Sequence, residues 1–255
     1  MKPMDQTWIR VVRRLPHAPV RLVCFPHAGG AASYYSPLAG LFGDKIEVLA
    51  VQYPGRHDRH RETAITDLGL LADQVADVLA GAVEGPFAFF GHSMGAILAF
   101  EVTRRLERRG APVPEVLFAS GRRAPSVVRE ENVHRRDDPA VIDEMRQLGG
   151  TDVSLLADPE LIAMIMPAVR ADYTAIESYR CDPPQAAVAP PIEVLIGDVD
   201  PRVAVEDAKA WALHTNATCA IRVFSGGHFY LAERADEVAT HIAGRLGLLS
   251  RQGQR

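Results

Sequence analysis

FAFFGHSMG, residues 87–95, runs directly into AILAFEVTRRLERR, residues 96–109. Phe87 to Phe90 read as a strand. The apolar positions from 96 to 108 recur at helical spacing until Gly110 and Pro112 stop them. Between the two elements, Gly91, Ser93 and Gly95 form G-x-S-x-G. In a strand-to-helix setting this motif is a nucleophile elbow: the sharp turn holds the serine in an unfavourable backbone conformation and lifts its hydroxyl clear at the helix N-terminus. A structural turn serine is the plainer alternative, and the position between strand and helix disfavours it.

The same rhythm extends outward from the elbow. Short apolar runs at 20–25 (VRLVCF), 46–51 (IEVLAV), 116–119, 192–196 (IEVLI) and 220–224 (AIRVF) read as further strands. Several are apolar almost throughout, as strands covered on both faces tend to be. Helical patterns lie between them. Leu68, Leu71, Val75 and Val78 follow a cap region at Thr66-Asp67, and two more helices are expected over 204–213 and 235–246. Such alternation implies an α/β fold with a mostly parallel central sheet and helices on both faces.

Residues 121–190 break the rhythm and contain no good strand. Asp138-Pro139 opens a helix that Gly149-Gly150 ends, and Asp158-Pro159 opens another, ELIAMIM, which Pro167 is expected to kink or break. ELIAMIM is apolar nearly all round and calls for cover on more than one side. The stretch is too long for an ordinary crossover. The expected organisation is therefore a core of residues 1–120 and 191–255 carrying a helical lid insertion, 121–190, over the C-terminal edge of the sheet.

Composition narrows the function. The 255 residues hold 28 Lys+Arg against 32 Asp+Glu, a net charge of −4, which argues against a general nucleic-acid binder. No apolar run approaches the ~18 residues of a membrane span, and the N-terminus lacks a signal-peptide core. Three widely spaced cysteines fit neither a disulfide framework nor a zinc cluster, and point to the cytoplasm.

A serine hydroxyl needs a base. Of the histidines beyond Ser93, His228 follows the last expected strand in a glycine-rich loop, at the sheet edge where Ser93 also emerges. His214 and His241 are expected at helix surfaces, and His134 in solvent among charged neighbours. An acid to orient His228 should follow the preceding strand, where Asp198 and Asp200 both stand; Asp200 is favoured, with Asp198 as a turn former. An oxyanion hole needs N–H donors, expected from Met94 and from Ala28 in the loop His27-Ala28-Gly29-Gly30. His27 is a candidate for polarising substrate. No ligand cluster for a metal is present.

Taken together, FPHAGG (25–30), QYPGR (52–56), GHSMG (91–95), RADY (170–173), GDVDPRV (197–203) and SGGHFYL (225–231) resemble the type II thioesterases, from about residue 20 to about residue 246. These are stand-alone α/β-hydrolases that accompany polyketide synthases and non-ribosomal peptide synthetases. The resemblance implies an α/β-hydrolase fold with Ser93 as nucleophile, Asp200 as acid, His228 as base, and Ala28 and Met94 as oxyanion donors. It implies hydrolysis of acyl thioesters on the phosphopantetheine arms of acyl and peptidyl carrier domains, clearing stalled or aberrant groups through an acyl-serine. No cofactor or metal is expected, nor a nucleic-acid or membrane partner, and a monomer is expected.

Apolar lid residues Leu155, Leu156, Ile162, Ile165 and Met166 are expected to line the substrate channel. Arg122, Arg123, Arg129, Arg135 and Arg136 are expected either to meet an acidic carrier or to form a solvated face. A general carboxylesterase or a chain-releasing fatty acyl thioesterase would share the three catalytic residues, and a binding protein on the same fold would have lost catalysis.

Overall fold

The computed structural model describes residues 5–83, 85–150 and 158–248. Seven strands form one sheet: β1 (Ile9–Arg13), β2 (Val20–Phe25), β3 (Ile46–Val51), β4 (Phe87–His92), β5 (Leu117–Ser120), β6 (Ile192–Gly197) and β7 (Cys219–Phe224). Their spatial order is β1-β3-β2-β4-β5-β6-β7. All neighbours are parallel except β1, which runs antiparallel to β3 with Ile9 opposite Val51. β3, β4, β5 and β6 are buried at every position, which explains their unbroken apolar character.

β1 is an addition to the sequence reading. It carries Arg10 and Arg13 among its five residues, and of these only Ile9 is buried. A charged, half-exposed edge strand lacks the apolar run that marks the central ones.

Helices cover both faces. One face buries α2 (Leu68–Leu79) and α3 (Met94–Arg108) around Phe25, Phe89, Phe100 and Trp211. The other buries α1 (Ser36–Gly40) and α8 (Ala235–Arg245) around Tyr35, Phe90, Phe118 and Ile242. The Asp67 carboxylate caps α2 by accepting from the Leu70 N–H at 2.9 Å. The helix expected over 204–213 is instead α6 (Val205–Lys209) followed by a 3₁₀ segment, Ala210–His214. A short α7 (Tyr230–Glu233) precedes α8.

Between β5 and β6 lie α4 (Asp138–Leu148) and α5 (Pro159–Ser178), with a small core of their own built on Val133, Val141, Ile142, Met166 and Val169. Asp137, one residue earlier than expected, caps α4, and Gly149 closes it in the left-handed conformation. α5 departs from the expected break, since it continues through Pro167 without ending. Pro167 and Ala163, whose carbonyl loses its helical partner, both face solvent, so water can meet the freed oxygen. ELIAMIM is covered in part: Met166 is buried with Ile162 and Ile165 packed against it, while Met164 is 55% exposed. No described helix is long and apolar enough to cross a membrane.

Candidate active site

Ser93 follows β4 and precedes α3, with φ 53° and ψ −117°, a conformation that L-residues other than glycine rarely hold. The turn is tight enough to exclude side chains on both flanks. A Cβ on Gly91 would lie 2.2 Å from the Gly95 carbonyl oxygen, and one on Gly95 would lie 2.0 Å from that of Phe25. The Ser93 N–H donates to the Ser120 carbonyl at 2.8 Å, which fixes the elbow against β5.

His228 comes from the loop after β7. Its Nε2 lies 3.0 Å from Ser93 Oγ, and its Nδ1 lies 2.9 Å from Asp200 Oδ2 and 3.1 Å from Oδ1. Asp200 and His228 are buried. Asp198 does something different: it is exposed, and its carboxylate accepts from the Gly226 N–H at 2.8 Å, bracing the loop that carries His228. The geometry thus separates the two aspartates that the sequence left as alternatives.

The loop after β2 is tied down at several polar groups. The Phe25 carbonyl accepts from Tyr35 Oη at 2.7 Å, and the Pro26 carbonyl from Tyr53 Oη at 3.0 Å. The Ala32 N–H donates to Gln52 Oε1 at 2.9 Å, and the Gly30 carbonyl accepts from Arg56 at 3.1 Å. The Gly29 N–H donates to Asp172 Oδ2 at 2.7 Å. Asp172 sits on α5, 1% exposed, and forms a two-pronged ion pair with Arg56 at 2.7 and 2.9 Å. Among the described residues, neither the Ala28 nor the Met94 N–H has an acceptor, and both residues line one cavity with Ser93 and His228. Sequence reasoning quoted QYPGR and RADY without assigning Arg56 or Asp172 a role, because partners 116 positions apart leave no local pattern.

The same cavity is lined by His27, Arg122, Glu131, Leu148, Tyr173, Ile176, Arg202 and Phe229. The expected lining residues from ELIAMIM lie elsewhere. Met166, with Ile162 and Ile165 against it, packs into the small core between α4 and α5. Tyr173 and Ile176, about two turns further along α5, reach the cavity instead. Leu155 and Leu156 fall outside the described residues.

Three histidines gather here. His27 packs edge-on against Tyr34 and Phe229, and His92 lies beside His228 with ring centres 5.2 Å apart. Burial, with repulsion from His228 and Arg56, pulls the His27 pKa down to about 3, and burial pulls His92 well below the usual imidazole range. Both are neutral at pH 7. His92 Nδ1 is 2.9 Å from Ser120 Oγ, which is 2.6 Å from Tyr230 Oη, a buried polar chain behind the site.

Of the other histidines, His214 corrects the surface expectation, while His134 and His241 are partly exposed and paired with carboxylates. His214 is fully buried, its Nδ1–H donating to the Ala186 carbonyl at 2.8 Å while Nε2 accepts from Ser126. His134 pairs with buried Glu177, and His241 reaches Glu193 at 3.2 Å. Arg123 is also buried, held by Glu131 at 2.5 Å, so it is no part of an open docking face. Among the described residues no group of three or more His, Cys, Asp or Glu is placed to hold a metal ion.

Comparison with known proteins identifies the family. The thioesterase domain family matches residues 20–246. The chain is 49% identical over 242 residues to the probable cadicidin biosynthesis thioesterase of Streptomyces griseus, covering 94% of this chain and 66% of that one. It is 43% identical over 240 residues to thioesterase PikA5 of Streptomyces venezuelae, covering 94% and 85%. Among solved structures it superposes on the type II thioesterase BorB from the borrelidin biosynthetic cluster, with TM-score 0.87, 45% identity, and 94% and 98% of the two chains covered. Matched along nearly its whole length, with the α/β-hydrolase fold of its structural neighbours, the chain belongs to the thioesterase family.

Proposed function

We propose that this thioesterase hydrolyses acyl groups from the phosphopantetheine arms of acyl and peptidyl carrier domains, clearing stalled or aberrant intermediates in polyketide or non-ribosomal peptide assembly. The observation that carries the reading is the hydrogen-bonded line Ser93–His228–Asp200, with free N–H groups of Ala28 and Met94 on the same cavity.

In this reading His228 Nε2 takes the proton of Ser93 Oγ as the oxygen attacks the thioester carbonyl. Asp200, beside Nδ1, holds the productive tautomer and balances the imidazolium that forms. Negative charge collects on the former carbonyl oxygen, and the Ala28 and Met94 N–H groups are the donors that meet it. The C–S bond breaks, His228 returns the proton to the departing thiol, and the acyl group rests on Ser93 as an ester. Water then attacks that ester with His228 again as base, releasing the carboxylic acid and restoring Ser93. Every proton moves through side chains of this chain, and the substrate arrives on the arm of its partner, so no cofactor is required.

The proposed insertion, 121–190, acts as a lid whose apolar contribution to the cavity is Leu148, Tyr173 and Ile176. With Arg122, Glu131 and Arg202 on the remaining wall, the cavity suits a short acyl group better than a long alkyl chain, which separates this reading from a fatty acyl thioesterase. The test compares acyl-carrier thioesters with p-nitrophenyl esters. The reading expects kcat/KM to favour the carrier-bound thioester and Ser93→Ala to abolish both activities. Preference for the p-nitrophenyl ester would make the chain a general esterase.

A further inference from the structure

Arg122 follows β5 by two residues and lines the cavity that holds Ser93, Ala28 and Met94. Its side chain is nearly enclosed, yet among the described residues its guanidinium makes no hydrogen bond. Nε is sealed from solvent without a partner, and the nearest carboxylate oxygen, on Glu131, is 4.0 Å from Nη2. That carboxylate is already engaged by Arg123 at 2.5 Å and by Arg202 at 2.7 Å. Arg202 in turn holds Glu144. Arg123 and Arg202 thus have close carboxylate partners and Arg122 does not.

A guanidinium carries five N–H donors in a fixed fork, and burying them unmet is costly. Burial and the neighbouring Arg123 pull the Arg122 pKa down to about 9. Nε is out of a ligand's reach, but Nη1 and Nη2 are not sealed and also lack hydrogen bonds, so an oxygen acceptor entering the cavity would supply a partner to that end of the fork. A thioester substrate has such oxygens in two places: on the acyl group beyond the thioester carbonyl, and at the amide nearest the sulfur in its pantetheine arm.

We propose that Arg122 is a specificity-determining residue whose guanidinium binds a carbonyl or carboxylate oxygen of the bound thioester. This rests on the reading of Ser93 as the acylated residue and deepens it. The favoured substrate is an oxygen-bearing thioester, not a plain alkyl one.

The test measures kcat/KM for the wild type and Arg122→Met on four thioesters. Three are the butyryl, acetoacetyl and malonyl thioesters of N-acetylcysteamine, and the fourth is S-ethyl thiobutyrate, which lacks the arm's amide. Methionine keeps an apolar stem in place, and Glu131 keeps Arg123 and Arg202. Losing a hydrogen bond to a charged group lowers kcat/KM by about 10- to 100-fold. A loss confined to the acetoacetyl and malonyl substrates supports the proposal with the acyl oxygen as ligand. A loss on all three N-acetylcysteamine thioesters, with S-ethyl thiobutyrate within about twofold, supports it with the arm's amide as ligand. Equal loss on all four, or loss on none, overturns it. Should Arg122→Met lower the melting temperature too far for assay, Arg122→Lys, which keeps one charged donor without the fork, is read by the same pattern across the four substrates with smaller losses. If Ser93→Ala hydrolyses the four as fast as the wild type, the Ser93 reading itself falls, and the proposal with it.

Discussion

Strand β4 and helix α5 both deliver residues to the cavity, and they are held in opposite ways. β4 is buried along its whole length, hydrogen-bonded to β2 and β5, and ends in a turn with no room for a side chain at Gly91 or Gly95. α5 is divided. Its second half carries Asp172, Tyr173 and Ile176 and is pinned by the Asp172–Arg56 pair; its first half leaves Met164 largely exposed. Position in the chain alone does not identify which part of the segment between β5 and β6 is loosely packed. The pinned half of α5 holds the loop that carries Ala28, so it works with the sheet, and only the first half has the loose packing that local opening requires.

The largest effects are expected where the sheet end is touched. Asp200→Asn should lower kcat by about 10⁴, because only Asp200 orients His228. Asp198→Asn should cost less than about tenfold, since it alters a loop brace and leaves the His228 contact intact. The reverse ranking in steady-state assays would place the orienting acid at Asp198.

Next comes the tie between the two regions. Asp172→Leu should reduce kcat by about 10- to 100-fold with little change in KM, because the Gly29 N–H loses its acceptor and the neighbouring Ala28 donor shifts from where oxyanion charge develops. It should also lower the melting temperature, since it strands Arg56 as a buried charge. The double variant Arg56→Met/Asp172→Leu separates these effects: stability should return while kcat stays low. Recovery of both would reduce the pair to a structural role.

Acid exposes a smaller difference. Above about pH 6.5, His27 and His92 are neutral in both the folded and unfolded chain. Below that, the unfolded chain binds protons that the folded one refuses until about pH 3 at His27, so stability falls as pH drops. The slope reaches about 1.4 kcal/mol per pH unit for each histidine. His27→Gln should flatten the melting temperature between pH 6.5 and 5, and an unchanged slope would contradict the burial argument. Smallest of all, Met164→Ala on the exposed half of α5 should leave stability within about 0.5 kcal/mol.

How much of this was legible follows the same division. The central strands and the elbow are dictated locally, by unbroken apolar runs and by glycines at fixed offsets from Ser93, and all six expected strands and the α2 cap at Asp67 fall within a residue or two of the sequence reading. β1 escaped because edge exposure replaces apolar residues with arginine. In the inserted segment the helix starts were readable from Asp-Pro pairs, but which face of α5 meets the cavity depends on its docking against residues more than 100 positions away. The buried state of Arg123 and His214 was equally invisible, because composition reads charge as surface and cannot see the carboxylate or carbonyl that meets it.

The central claim is that Ser93 carries the acyl group between the two half-reactions. Rapid mixing of the protein with an acyl-carrier thioester, acid quenching within milliseconds, and mass spectrometry of the digested chain tests it directly. The account predicts an added acyl mass on the peptide containing Ser93, and in Ser93→Ala neither that adduct nor more than about 10⁻⁴ of the wild-type turnover. An adduct on another residue, or Ser93→Ala activity within tenfold of wild type, would contradict it.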